Sequence, residues 1–326
     1  MSRPAAVTII EAATTEGAAE LAKRRENRGL QLGLLGVLIF AMTLPMTRLA
    51  VGPSDAPQLQ PLFVTAGRAA IAGLLSICWL LLTRAPRLER RHWPALAVSA
   101  ACTVIGFPLF LGFALREVDA MHAAVVTGVL PLATAVAAAI HLRQRPSAGF
   151  WACAILGCAI VLGFAAMQGA GHLSAADVLL LLAVVSASIG YVAGGKVSAS
   201  VPAEQVIGWV LVASLPLTAP VMIANWPAQP VSASAWGGFA YVTVFSMWLG
   251  FFAWYRGLAL GGTLRVSQVQ LVQPFAALLF AVPILGEQLD MATVGSALAV
   301  IATVFVGRRM AVGRPAAEVP PHNSRG

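Results

Sequence analysis

Long apolar blocks separated by short polar breaks run through most of the chain. Ten such blocks lie near residues 29–50, 60–83, 93–115, 120–141, 148–167, 175–195, 205–225, 235–256, 264–285 and 290–307. A helix of about 20 apolar residues is long enough to cross the roughly 30 Å hydrocarbon core of a bilayer. Proline and glycine breaks such as Gly52-Pro53 and Trp226-Pro227 separate several of the blocks. The pattern predicts an all-α, polytopic membrane protein with ten transmembrane helices.

The basic residues support this count and give an orientation. If the N-terminus is cytoplasmic, 18 of the 21 Lys and Arg residues fall in tails or loops on the cytoplasmic side. The exceptions are Arg48 and Arg116 near the outer side, and Arg68 within a span. This bias follows the positive-inside rule. We therefore expect both termini, the tails 1–28 and 311–326, to be cytoplasmic in a multi-pass protein of a bacterial inner membrane.

Composition narrows the class of protein further. The chain of 326 residues is 59% hydrophobic and only 10% charged, whereas soluble domains average about 25% charged residues. A soluble enzyme is therefore excluded. The net charge of +8 suits cytoplasmic loops facing anionic lipid, and we expect no nucleic-acid partner. No cluster of metal ligands or membrane-depth nucleophile with a base is evident, so we predict no metal, no cofactor and no enzymatic activity.

An internal repeat relates the two halves of the chain. A shift of 143 residues pairs the fourth block with the ninth, matching Pro131 with Pro274 and Val126 with Val269. The two repeats, 29–169 and 170–310, each contain five spans, and an odd number of spans makes them insert with opposite orientation. Inverted repeats are typical of alternating-access carriers, whose substrate site lies near the midplane between the repeats.

Several short motifs point to a known family. They are Phe40-Ala41-Met42-Thr43-Leu44-Pro45 before Arg48, Leu130-Pro131-Leu132-x-Thr134, Gln273-Pro274-Phe275, Leu285-Gly286-Glu287-Gln288 and Leu249-Gly250-Phe251 before Trp254. With these motifs in this order, residues 29 to 310 resemble the drug/metabolite transporter superfamily, specifically its ten-helix EamA-type carriers. The likeness points most towards YddG-type amino-acid and metabolite exporters. The chain departs from the family where Phe40-Ala41 replaces Trp-Gly and where Gln144 replaces Glu.

Acidic residues are placed unusually. All thirteen Asp and Glu residues lie in tails, loops or span ends. A carboxylate buried at membrane depth is costly and is kept where it acts on substrate, ion or proton. The absence of one argues against proton-coupled extrusion of lipophilic cations, and it favours an uncharged polar cavity.

Two titratable or charged residues within spans are candidates for the site. Arg68 lies about eight residues into the second span, where it is either a structural anchor near the outer mouth or a partner for a substrate carboxylate. His122 opens the fourth span from the outside. It is either an interfacial structural histidine or a cavity residue that contacts substrate or carries a proton.

Neutral polar and aromatic residues complete the predicted substrate site. Gln270 and Gln273 share a face of the ninth span beside Pro274, which frees a backbone carbonyl. Thr127 is the counterpart of Gln270 in the first repeat. They either make interhelical hydrogen bonds or line the pathway. Tyr191, Trp248 and Trp254 lie deep in the sixth and eighth spans and either pack structurally or form apolar cavity walls.

Together these features predict a transporter that exports small metabolites, with amino acids as the first candidates. We expect it to act as a monomer in the lipid bilayer on a small-molecule substrate. A multidrug or lipophilic-cation exporter on the same scaffold is the alternative.

Overall fold

All regular secondary structure in the part of the chain that the structure describes is helical. The computed structural model describes residues 4–141, 146–168, 171–198, 200–261 and 267–309. Its α-helices are α1 Pro4–Ala41, α2 Thr43–Val51, α3 Pro61–Leu82, α4 Trp93–Ser99, α5 Phe107–Glu117, α6 Ala120–Thr127, α7 Leu130–His141, α8 Ala148–Gln168, α9 Ala175–Ser198, α10 Ala203–Ala224, α11 Ala233–Tyr241, α12 Gly250–Gly261, α13 Gln273–Leu285 and α14 Met291–Arg309. Two 3-10 turns, Arg90–His92 and Ser267–Val272, and two π-helical stretches, Ala100–Gly106 and Val242–Leu249, complete the described elements.

Several of these helices, singly or joined end to end, are long and apolar enough to cross a membrane. Eight candidate spans lie within the described residues, at Lys23–Val51, Pro61–Leu82, Arg90–Glu117, Ala120–His141, Ala148–Gln168, Ala175–Ser198, Glu204–Ala224 and Ala233–Leu258. Two shorter apolar helices follow, Val269–Leu285 and Met291–Gly307. Their outward faces carry large exposed hydrophobic side chains such as Leu81, Ile155 and Leu217. A surface of this kind suits lipid, and the chain is a polytopic membrane protein.

The loops gather at two ends of the bundle. At one end Glu204 pairs with Arg256 at 2.8 Å, and Nε2 of His92 lies 2.7 Å from Oγ of Ser200, which brings the loop that contains Arg84 to the same end as Lys196. We call it the basic end. At the other end, which we call the opposite end, the backbone N–H of Ser232 donates to Oε1 of Gln58 at 2.9 Å. Successive spans therefore run in alternating directions between these ends.

Small residues allow close packing between α1 and α12. Glycines four residues apart on α1, Gly29 and Gly33, face Gly257 and Gly261 on α12. A Cβ at Gly257 would lie 2.7 Å from the backbone nitrogen of Gly33. Glycine pairs at this spacing let membrane helices approach along their backbones. This contact joins the first helix of the chain to the second repeat.

Candidate functional site

A cavity of about 680 Å³ lies between the two halves of the chain. Its walls come from α1, α2, α3, α5, α6, α7, α9, α12, α13 and α14, and from both π-helical stretches. Its lining reaches the basic end at Ser198, Val201 and Pro202. No described residue of the loops at the opposite end contributes to it. In this conformation the cavity therefore faces the basic end.

The opposite end is closed by a packed apolar layer. Val51, Leu59, Phe63 and Leu115 are buried in the main hydrophobic cluster. Two arginines reinforce this layer through backbone carbonyls. Arg116 Nη2 donates to the carbonyl of Leu59 at 3.1 Å, and Arg48 Nη1 donates to the carbonyl of Leu115. The Leu115 carbonyl lies in the last turn of α5, where carbonyls have no partner within the helix, and the Leu59 carbonyl lies in the loop before α3.

A glutamate from the second repeat caps a helix of the first repeat at this closed end. The carboxylate of Glu287, in the loop between α13 and α14, accepts the N–H groups of Ala120 at 2.7 Å and of Met121 at 2.8 Å. These are the first residues of α6, whose N-terminal N–H groups have no partner within the helix. The Glu287 cap therefore holds the two repeats together across the opposite end.

The pKa values of two acidic residues in that loop, Glu287 and Asp290, are shifted in opposite directions. Burial raises the pKa of Glu287 above its usual range, and the hydrogen bonds from Met121 and Ala120 only partly offset the burial. The pKa of Asp290 is lowered, chiefly because the Thr293 hydroxyl and backbone N–H donate to its carboxylate at 2.7 Å each. The loop thus carries one carboxylate that favours its proton and one that resists it.

His122 lies at the same closed end. Its Nε2 is 2.6 Å from Oδ1 of Asp177, and the two side chains are 11% and 2% exposed. Asp177 also accepts hydrogen bonds from the backbone N–H and the hydroxyl of Ser174. The His122 ring lies beside Phe164, with centroids 5.1 Å apart. This pair joins α6 of the first repeat to α9 of the second, and His122 does not line the cavity.

Arg68 lies at the closed, inner part of the cavity. Its side chain is buried, with 3% of the residue exposed. Arg68 Nη2 donates to Oγ of Ser246 at 3.1 Å, and Ser246 Oγ shares a 2.8 Å hydrogen bond with Thr43 Oγ1. All three residues line the cavity. The arrangement joins α3 and α2 to the second π-helical stretch.

Both π-helical stretches bring a hydroxyl to the cavity wall. The stretches are Ala100–Gly106 and Val242–Leu249. The shift of 143 residues that pairs Pro131 with Pro274 also pairs Thr103 with Ser246, and both of these hydroxyl residues line the cavity. A π-helical turn inserts an extra residue into a helix and often marks a functional site.

Interrupted helices form the middle of the site. Thr127 ends α6, and Pro131 follows at the start of α7, after a break at residues 128–129. In the second repeat Gln270 lies in a 3-10 turn and Gln273 and Pro274 begin α13. All five residues line the cavity. Proline removes a backbone hydrogen bond, and the breaks therefore expose polar backbone and side-chain groups at the same depth.

Aromatic rings form the apolar walls of the cavity. Trp254 and Tyr191 line it, and so do Phe40 and Phe251, whose ring centroids are 5.0 Å apart. Trp248 lies outside the lining and packs edge-on against Phe252, with centroids 5.1 Å apart.

Of the eight residues predicted as substrate contacts, the structure brings six to one cavity. They are Arg68, Thr127, Tyr191, Trp254, Gln270 and Gln273. His122 and Trp248 lie elsewhere, and the substrate contacts of all eight stay predictions. The sequence interpretation missed Thr43, Thr103 and Ser246. The repeat offset held a signal for two of them, because Thr103 and Ser246 are polar residues at equivalent positions in apolar spans.

A second, larger depression has a different character. It measures about 880 Å³ and is lined mainly by apolar side chains of α1, α3 and α12, including Leu35, Trp79 and Phe252. It is more open than the central cavity and lies on the outer face of the bundle, where it would face lipid. The polar groups that could bind a solute are concentrated in the central cavity.

Known proteins share both the sequence and the fold. The EamA-like transporter family matches the chain twice, at residues 27–166 and 174–308. The uncharacterized transporter YdeK of Bacillus subtilis (strain 168) is 44% identical over 283 residues, covering 86% of this chain and 96% of that protein. A solved crystal structure of another protein covers 87% of this chain and 99% of its own, with a TM-score of 0.60 and 19% identity, and that likeness shows the fold alone.

The helical fold and the central cavity define a polytopic membrane transporter. Because the family match covers most of the sequence in two successive copies, the chain belongs to the EamA-like transporter family.

Proposed function

We propose that the protein exports small polar metabolites, with amino acids as the first candidates, by alternating access around the central cavity. It acts as a monomer in a bacterial inner membrane, with ten transmembrane helices and both termini in the cytoplasm. The two inverted repeats, 29–169 and 170–310, move against each other and expose the cavity first at one end and then at the other.

One observation carries this proposal. The cavity reaches the basic end, while the opposite end is closed by cross-repeat hydrogen bonds that the N–H groups of α6 donate to Glu287 and by the contact between His122 and Asp177. A carrier needs a central site that is open on one side and has a separable seal on the other. The bonds at the seal are few and lie near the membrane surface, so they could break without unfolding either repeat. Basic loops favour the cytoplasmic side, and the described conformation would therefore load substrate from the cytoplasm.

The lining supports a small polar substrate that carries an apolar group. Amides from Gln270 and Gln273 offer donors and acceptors. The Thr127 hydroxyl, which donates to the Ala123 carbonyl at 2.7 Å, offers an acceptor, while Trp254 and Tyr191 offer apolar walls. Ligand sites commonly combine apolar walls with a few placed polar groups. The volume of about 680 Å³ is within the usual range for small-molecule sites.

Flux into proteoliposomes tests the proposal. Purified protein reconstituted with a panel of labelled amino acids should show saturable flux of at least one of them above protein-free vesicles. Addition of unlabelled substrate on the far side should accelerate exchange, as expected for a carrier. Absence of flux with every amino acid would overturn the amino-acid assignment. Exchange of a lipophilic cation for protons in the same vesicles would instead support a drug exporter.

A further inference from the structure

The central cavity has an unbalanced charge. Arg68 is the single charged side chain among the described residues that line it. A buried charge is costly unless it is paired, and buried arginines are normally matched by a carboxylate. Here the Arg68 Nε and Nη1 atoms are buried and have no hydrogen-bond partner among the described residues. The guanidinium therefore keeps donor groups that a ligand can satisfy.

Hydroxyl groups near Arg68 hold the guanidinium in place and provide further hydrogen-bonding groups for a ligand. Ser246 accepts one bond from Arg68 at 3.1 Å and is itself held by Thr43 at 2.8 Å. This contact fixes one edge of the guanidinium. The hydroxyls of Thr103 and Thr134 also line the cavity and lack partners within the described part of the chain. A planar guanidinium with free N–H groups matches the two oxygens of a carboxylate.

The cavity has no comparable partner for a positively charged group of a ligand. No carboxylate lines the cavity among the described residues. An ammonium group would have only hydroxyls, amides and aromatic faces as partners. The same residues include the ring pair Phe40 and Phe251 and the indole of Trp254, which suit an apolar body. The cavity thus offers strong recognition for an anionic head and an apolar tail.

We propose that Arg68 forms a carboxylate-binding centre, with Ser246 as its positioning residue, and that this centre selects organic monocarboxylates with an aromatic or branched apolar body. On this proposal the carboxylate of an amino acid is required for binding, and its amino group is dispensable. The inference rests on the proposed function in one respect, namely that the cavity holds the transported substrate.

Binding by the purified, detergent-solubilised protein tests this selectivity without requiring transport. Isothermal titration would compare phenylalanine with 3-phenylpropionate, which lacks the amino group, and with 2-phenylethylamine, which lacks the carboxylate. A second set, leucine, 4-methylpentanoate and isoamylamine, covers a branched aliphatic body. We expect at least one set in which the acid binds within about 3-fold of the amino acid. The matching amine should bind at least about 30-fold more weakly, because a charge-assisted bidentate pair is lost.

Variants connect the selectivity to these residues. Arg68→Gln should raise the Kd of the acid by about 10- to 100-fold, the effect of losing charged hydrogen bonds. Ser246→Ala should raise the Kd by about 5-fold, because the Arg68 guanidinium loses one contact that orients it, while the acid stays preferred over the amine. Arg68→Lys keeps the charge but loses the planar fork, and it should fall between wild type and Arg68→Gln. The matched control is Arg87→Gln, the same change in an exposed loop at the basic end, which should leave the Kd unchanged.

The outcomes separate this inference from the transport proposal. An amine that binds as tightly as its acid would overturn the carboxylate centre, and so would unchanged acid binding in a folded Arg68→Gln protein. No millimolar binding of any compound in either set would also contradict it. If Arg68→Gln does not fold, the ranking of ligands on wild type and on Ser246→Ala decides. Acid-selective binding without flux in proteoliposomes would uphold the carboxylate centre and overturn transport.

Discussion

At the scale of single residues, the contacts of a polar side chain decide its role more than its depth in the membrane does. Arg68 and His122 are both within or at the start of a predicted span. Arg68 has free donors beside the cavity, whereas His122 contacts Asp177 through Nε2 and packs beside Phe164. The partner of His122 lies 55 residues away along the chain. Nothing in the sequence around His122 reveals that partner, and the sequence therefore left both of its roles open.

His122 should stabilise the closed end. His122→Ala removes a short hydrogen bond to a buried carboxylate, and we expect it to lower the free energy of unfolding by about 1.5–3 kcal/mol. Thermal or denaturant unfolding in detergent measures the change. His172→Ala, in an exposed loop, is the matched control and should have little effect. Equal stability of the two variants would show that the His122–Asp177 contact contributes nothing to the fold.

Glu287 and Asp290 should give opposite pH dependences of stability. Because the pKa of Glu287 is raised, the folded state holds that proton to higher pH than the unfolded chain does. Its contribution to stability is therefore present at low pH and declines as pH rises from about the ordinary value of 4.5. Glu287→Gln should remove this decline, which unfolding curves measured between pH 4 and 7 would detect.

For Asp290 we expect the opposite dependence of stability on pH. Its lowered pKa means that its stabilisation is present above the ordinary value of 3.8 and is lost as pH falls through the folded-state pKa. Asp290→Asn should therefore flatten only the acid side of the stability curve. Because the two acids share one short loop, each variant is the control for the other. Identical pH profiles for both variants would contradict the assignment.

At the scale of helices, the sequence predicted the apolar spans well but not their irregularities. Hydropathy located the spans, and the paired prolines Pro131 and Pro274 marked the interrupted helices that now line the cavity. The π-helical stretches at Ala100–Gly106 and Val242–Leu249 gave no comparable signal. A π-helical turn contains one extra residue, and in a uniformly apolar segment that extra residue does not change the hydropathy pattern. The hydroxyls that these stretches present were consequently missed.

The packing of α1 on α12 should be sensitive to a single methyl group. Gly257→Ala places a Cβ 2.7 Å from the backbone nitrogen of Gly33, so the helices must separate. We expect this overpacking to cost about 1–3 kcal/mol of unfolding free energy. Gly163→Ala, on a helix where a Cβ meets nothing within 4 Å, is the control and should be neutral or slightly stabilising. Comparable losses in both variants would indicate a general effect of glycine replacement instead of this contact.

At the scale of the whole molecule, the repeat offset accounts for the form of the cavity. The same shift of 143 residues pairs Thr127 with Gln270, Thr103 with Ser246 and Leu111 with Trp254, and all six residues line it. The two ends, however, differ in this structure. The Glu287 cap is formed at the opposite end, while the lining extends to the basic end. Symmetry in sequence combined with asymmetry in structure is what alternation between two states requires.

Reversible locking of the opposite end tests that account most directly. Cysteines at positions 120 and 287, in a protein whose four native cysteines are replaced, would be joined by a short, reducible methanethiosulfonate cross-linker. Amino-acid flux in proteoliposomes would then be measured before cross-linking, after it and after reduction. We predict that flux is lost in the cross-linked protein and returns on reduction, because the opposite end must open in every cycle. Unchanged flux in fully cross-linked protein would contradict alternating access through this cavity.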